Sequence, residues 1–123
     1  MIVDDVRVMQ VQIREILRPF GFRSIRTFSN TEEAKAALEA EPYHLCIVDL
    51  HMTPITGYDF LKWVREHPRL KDLAFIMVTV DGVADRVKEV VSIGVDDYIL
   101  KPLNGTTMID RIISILERKG MLQ

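Results

Sequence analysis

The run Ala74-Phe75-Ile76-Met77-Val78-Thr79-Val80 contains only one polar residue, Thr79. A strand wetted on one face alternates apolar and polar residues, so an almost unbroken apolar run needs cover on both faces. That requirement points to a parallel sheet held between two layers of helices. Three further apolar runs, Met1 to Val3, Leu45 to Asp49 and Tyr98 to Leu100, alternate with helix-period segments. This is the pattern of repeated βα units. A brief fifth run, Ser24 to Phe28, carries Arg26 and suits a sheet edge. The expectation is an α/β fold, a doubly wound parallel sheet of five strands with five helices.

The helices have their own punctuation. Helix 1 is expected from Val6 to Arg18, with Met9, Ile13, Ile16, Leu17 and Phe20 on one face and Pro19 and Gly21 ending it. Asn30-Thr31-Glu32-Glu33 reads as an N-cap with an acid three residues on, opening helix 2 through Ala40. Helix 3, Tyr58 to Glu66, would place Phe60, Leu61 and Val64 inward. Helix 4 spans Ala84 to Ile93 and stops at Gly94. Asn104 caps helix 5, which ends near Lys119-Gly120. No linker, repeat or low-complexity stretch interrupts the chain, so one domain over residues 1–123 is expected.

The chemistry gathers at the strand ends. Asp4 and Asp5 close the first run, Asp49 the third, and Lys101-Pro102 the last. In open α/β sheets ligands bind outside the carboxyl ends of the strands, so three carboxylates and one ammonium meet at one edge. Carboxylates about 4 Å apart repel by roughly 4 kcal/mol per pair at an effective dielectric of about 20. A hard divalent cation relieves this, and Mg²⁺ is held by one or two carboxylates plus phosphate. An aspartate such as Asp49 can act as a nucleophile toward phosphorus, with Lys101 neutralising charge on the transferred group. Thr79 offers a hydroxyl at the same edge. Each residue alone has a plainer reading: a helix cap for Asp4 or Asp5, a strand residue for Thr79, a solvated Lys101, a half-buried Tyr98. The signal lies in their common position and order.

Composition removes other classes. A net charge of −2 offers no basic excess for nucleic acid. No apolar stretch approaches the roughly 20 residues of a membrane span, and no signal peptide opens the chain. A cytoplasmic protein with no membrane partner is expected. Cys46, the only cysteine, sits in an apolar run and reads as a buried small hydrophobe.

With these motifs in place, the whole chain resembles a response-regulator receiver domain of the single-domain chemotaxis type. Asp4-Asp5 resembles the family's metal-binding acidic pair, and Asp49, in Val48-Asp49-Leu50-His51-Met52, its phospho-accepting aspartate. The resemblance implies a metal contact from the His51 backbone carbonyl, a switch hydroxyl at Thr79 and a switch aromatic at Tyr98. Gly57 falls eight residues after Asp49, as in the family loop. Asp96-Asp97-Tyr98-Ile99-Leu100-Lys101-Pro102 follows the family signature, in which the peptide before the proline is often cis. The implied strand order is 2-1-3-4-5, which general fold rules cite for a member of this family. The implied activity is Mg²⁺-dependent transfer of phosphate to Asp49 from a histidine kinase or histidine phosphotransfer protein. Partner affinity would then change on the face of helix 4, strand 5 and helix 5.

The chain departs from the family pattern in three places. Proline stands at Pro54 rather than at Thr53, so a different turn is expected over the site. Val80 follows the switch hydroxyl where alanine or glycine is usual, and is expected to crowd the phosphoryl group and slow its hydrolysis. His51 and Asp81 flank the site as further tuning positions; no cysteine or second histidine gives His51 a zinc-ligand spacing. The first strand is also short for the family, which is expected to cost stability more than function.

Val6, Met9 and Val11 at the start of helix 1 could meet the phosphodonor, as the family docks it there. Helix 5 is apolar at Met108, Ile109, Ile112, Ile113, Ile115 and Leu116. That stripe reads either as a wide core face or as a dimer or target surface using Ile113 or Ile109, so a monomer or weak homodimer is expected. The main alternative is an interaction module with this fold that takes no phosphate. A haloacid-dehalogenase-like phosphatase would need an acid where His51 stands, and an FMN-binding flavodoxin would need a hydroxyl- and glycine-rich loop where Asp4-Asp5 stands.

Overall fold

A computed structural model describes residues 1–121. The chain alternates β1 (Ile2–Val3), α1 (Arg7–Leu17), β2 (Thr27–Phe28), α2 (Thr31–Ala40), β3 (Leu45–Val48), α3 (Gly57–Glu66), β4 (Ala74–Thr79), α4 (Ala84–Ile93), β5 (Asp97–Leu100) and α5 (Gly105–Arg118). The strands pair in parallel in the order β2-β1-β3-β4-β5.

Strand alternation splits the core into two layers. Phe75 and Met77 of β4 join Val3, Cys46, Val48, Phe60, Leu61 and Val64 on the side of α2, α3 and α4. Ala74, Ile76 and Val78 join Ile2, Ile47, Ile13 and Leu17 on the side of α1 and α5. All six residues of β4 are buried, as its composition requires. The broad stripe of α5 is spent on this second layer: Met108, Ile109, Ile112, Ile115 and Leu116 are all buried. Ile109 is therefore no surface contact, and Ile113 is only half-buried.

Caps behave as the side chains dictate. Asn30 and Asn104 each accept a backbone N–H three residues on, from Glu33 and Thr107. Gly94 ends α4 at φ +105°, a conformation that costs glycine no side-chain clash.

Three expectations need correction. The inward stripe of α1 is Gln10, Ile13 and Leu17, with Met9 and Ile16 half-buried and Phe20 58% exposed. A tighter 3₁₀ turn follows at Arg18–Phe20 and changes the angular step between residues. The β2 ladder covers only Thr27–Phe28, because β1 presents little to pair with; Ile2 donates to the Arg26 carbonyl and Asp4 to that of Phe28. Below these bonds a cavity of about 660 Å³ separates Ser24–Arg26 from Tyr43–Leu45. Finally, β4 ends at Thr79, so Val80 lies outside it.

Arg65 on α3 ties the far end of the sheet together. Its guanidinium donates to the carbonyls of Gly94, Lys71 and Leu73 and to the Asp96 carboxylate at 2.7 to 3.1 Å. Asp96 in turn accepts the Phe75 N–H at 2.8 Å. The Arg65 side chain is 14% exposed, so truncation removes four bonds at once and leaves the part-buried Leu73 carbonyl and Asp96 carboxylate short of a partner. Arg65→Ala is expected to cost about 2–4 kcal/mol in a denaturant melt. Arg65→Lys should recover little of this, because an ammonium cannot reproduce the planar fork.

Candidate functional site

Parallel strands end side by side, and the polar residues that close them meet at one edge. Asp4 follows β1 and is buried, Asp5 is exposed, and Asp49 follows β3 half-buried. Each offers a carboxylate oxygen within 4.8 Å of the other two. Lys101, just past β5, sends its Nζ between them, 3.0 Å from Asp4 Oδ2 and 3.4 Å from Asp49 Oδ2. The cis peptide before Pro102 follows this lysine directly, and a second lies at Thr53-Pro54.

Local structure fixes each acid. Asp4 Oδ1 accepts the Val6 N–H at 2.9 Å at the start of α1. The buried Gln10 amide donates to the Asp4 carbonyl at 2.6 Å and to that of Phe28 at 3.3 Å, pinning the β1–α1 loop to β2. Asp49 Oδ1 accepts the His51 N–H at 3.3 Å. Gly57 is required on the other side, because a Cβ there would collide with the Asp49 carbonyl. The loop between them is tied to α2: the buried Thr31 hydroxyl donates to the Ile55 carbonyl at 3.1 Å and accepts the Ile55 N–H at 3.3 Å.

Burial raises the Asp4 carboxyl above the usual carboxylate range; the Val6 N–H and Lys101 oppose this, and Asp49 adds to it. Three ionised carboxylates against one ammonium leave a net charge of −2. That deficit, in an all-oxygen donor set, suits a hard divalent cation of the Mg²⁺ kind.

Thr79 and Tyr98, for which the resemblance implies a switch role, lie on β4 and β5. Thr79 is fully buried at the end of β4, and its Oγ1 accepts the Asp81 N–H at 3.3 Å. Its carbonyl accepts the Lys101 N–H at 2.9 Å. Tyr98, half-buried on β5, donates its hydroxyl to the Asp81 carbonyl. Burial first, then Asp81, raises the Tyr98 hydroxyl above its ordinary pKa. Asp81 Oδ2 pairs with His51 Nε2 at 2.8 Å and with Arg86 at 2.9 Å. The Val83 N–H is the chief reason its carboxyl lies below the usual range. Val80 is 74% exposed, so most of its side chain faces solvent rather than filling the site.

Two further positions matter to this edge, Arg86 and Gln10. Arg86 stood in an ordinary polar helix segment, and its link to Asp81 required the fold. Gln10 carried a faint signal, a polar residue at helical spacing from Ile13 and Leu17. Cys46 is fully buried, and burial pushes its thiol up to about 12, which makes it inert at neutral pH. No helix among the described residues is long and apolar enough to cross a membrane.

Known proteins share this arrangement. The family model described as the response regulator receiver domain matches residues 1–113. The chemotaxis protein CheY of Pseudomonas aeruginosa is 32% identical over 118 residues, 96% of this chain and 95% of that protein. CheY-3 of Vibrio cholerae is also 32% identical, across 96% of this chain and 91% of that protein. A putative response regulator from Chloroflexus aurantiacus superposes with a TM-score of 0.89 at 30% identity, covering 95% of each chain. The receiver domain of a Syntrophus aciditrophicus signal transduction histidine kinase superposes at 0.88 with 24% identity, over 99% of this chain and 92% of that one, a likeness of fold. Matched by the family model over most of its length and by chemotaxis relatives from end to end, the chain belongs to the CheY-like response-regulator receiver domains of two-component signalling.

Proposed function

We propose that residues 1–123 act as one phospho-accepting receiver, loaded at Asp49 by a histidine kinase or histidine phosphotransfer protein in the cytoplasm. The observation that carries this is the meeting of Asp4, Asp5 and Asp49 within 4.8 Å, with Lys101 between two of them. An Asp49 oxygen forms a bond to phosphorus as the P–N bond of the donor's phosphohistidine breaks, and the electron pair stays on the imidazole nitrogen. Lys101 meets the negative charge that spreads over the transferred group. Mg²⁺ held by Asp4, Asp5, Asp49 and the His51 backbone carbonyl would supply the remaining charge neutralisation. Water later attacks phosphorus and releases inorganic phosphate from Asp49. The protein turns over no separate substrate and is not a conventional enzyme. His51 and Asp81 flank the water's approach; with Val80 turned mostly to solvent, Val80→Ala is expected to change the lifetime of the phospho-state little.

Thr79 follows the phosphoryl group, Tyr98 turns inward, and the α4–β5–α5 surface changes its affinity for a downstream protein. Val83 just before α4 and Val91 on it are 53% and 56% exposed and Leu100 on β5 is 49% exposed, an apolar face ready for such a partner. Intact mass after incubation with Mg²⁺ and acetyl phosphate tests the proposal. A gain of one phosphoryl group supports it. No gain with Mg²⁺ bound would make the chain a phosphate-independent interaction module.

Metal binding carries a pH signature. Asp4 has a folded pKa above its unfolded value, so its ionisation opposes folding. The advantage of the neutral form is full below the unfolded pKa and is lost as pH rises through the folded one. A cation needs the ionised form. Mg²⁺ affinity is therefore expected to weaken as pH falls toward the raised Asp4 value. Asp4→Asn should bind more weakly and with a flatter pH profile, as measured by calorimetric titration.

A further inference from the structure

Among the five helices α4 is the least anchored, with Val90 its only fully buried side chain. The loop before it is exposed at Val80, Gly82 and Val83. Asp81 is the exception, its side chain only 7% exposed. Around this one residue four separate segments converge. His51 reaches its carboxylate from the β3–α3 loop, and Arg86 reaches the same oxygen from the first turn of α4. The other oxygen accepts the Val83 N–H at 3.1 Å. The backbone N–H is given to Thr79, and the carbonyl accepts from Tyr98. Behind His51 and Arg86 a cavity of about 160 Å³ opens between α4 and the start of α3, bordered by Leu50, Tyr58 and Val90. There is thus space for α4 to shift, and little apolar packing to resist it.

We propose that Arg86 and His51 position Asp81 as a latch, which holds the β4–α4 loop and α4 in the unphosphorylated arrangement. Resting on the phospho-acceptor reading above, the latch also governs access to Asp49. The bridge from His51 to Asp81 spans the loops that follow β3 and β4, on either side of the acceptor. Thr79 cannot turn toward a phosphoryl group while it accepts the Asp81 N–H, so closing on phosphate and releasing α4 are one event. Arg86 is a positioning residue; it touches neither the acids nor Lys101 among the contacts seen, and acts only through Asp81.

Hydrogen exchange by NMR on the unphosphorylated full chain tests this, reading the amides of Asp81, Val83 and Val90. An ion pair of this exposure shifts a local equilibrium by about two- to fivefold. Arg86→Ala is expected to speed exchange at all three amides by about that factor. It should speed phosphoryl gain from acetyl phosphate similarly, with the melting temperature unchanged and Arg86→Lys restoring most of the wild-type behaviour. Because both partners share one carboxylate, Arg86→Ala with His51→Ala should fall short of the product of the single effects. Unchanged exchange in Arg86→Ala overturns the latch, as does faster exchange with an unchanged rate of phosphoryl gain. Should wild type take no phosphate at all, the phospho-acceptor reading fails, and the concerted response of the loop and α4 amides still decides the latch.

Discussion

Asp49→Asn is expected to abolish covalent uptake of phosphate while leaving the fold intact. The amide keeps the shape of the carboxylate and one of its two acceptors, so its single oxygen can serve either the His51 N–H or Lys101, which reach different oxygens of Asp49. It lacks the anionic oxygen that must bond to phosphorus. Loss of a covalent nucleophile lowers a rate by as much as about 10⁶-fold, so intact mass should show one phosphoryl group on wild type and none on the variant. The melting temperature should hold or rise slightly, because one of three mutually repelling charges is gone. Equal uptake by both proteins would place the phosphoryl group on another side chain and remove Asp49 from the chemistry.

Lys101→Met should move two measurements in opposite directions. In the structure the ammonium is the resident counter-ion of Asp4 and Asp49, with its side chain 10% exposed and that of Asp4 2%. A divalent cation must share the site with it, so Mg²⁺ affinity should rise once the lysine is gone. Phosphoryl gain should fall by about 10²–10³-fold, the usual consequence of deleting one preorganised charge aimed at a developing negative charge. Without metal, two acids lose their partner and stability should drop, by up to about 3–5 kcal/mol for a buried pair. Mg²⁺ should restore much of that. Tighter Mg²⁺ binding with an undiminished transfer rate would reduce Lys101 to a structural counter-ion.

The features legible in the sequence are those written in local pattern. The apolar run of β4, the asparagine caps of α2 and α5, Gly94 and the acids at the strand ends all act within a few residues of themselves. They fall where expected, and the strand order follows the family resemblance. The structure departs from local pattern where a distant neighbour decides. β2 stops at two residues because β1 runs out, not because Ser24–Arg26 disfavours extension. Phe20 turns outward because the helix changes its winding at Arg18. Gln10, Thr31 and Arg65 are polar residues whose partners are backbone groups far along the chain, and no spacing rule exposes such pairs. The four-way convergence on Asp81 is of the same kind.

The contact between Lys101 and Asp4 joins residues 97 positions apart. One comes from the first strand and the other from the end of the last, and Asp49 between them belongs to the middle of the chain. No fragment ending before β5 contains the set, whatever structure its own strands achieve. A chain still emerging from the ribosome, or one clipped ahead of β5, has Asp49 and lacks the ammonium beside it. The charge balance of this edge is therefore set only when β5 joins the sheet, and a chain that stops short of it carries three acids without their resident counter-ion.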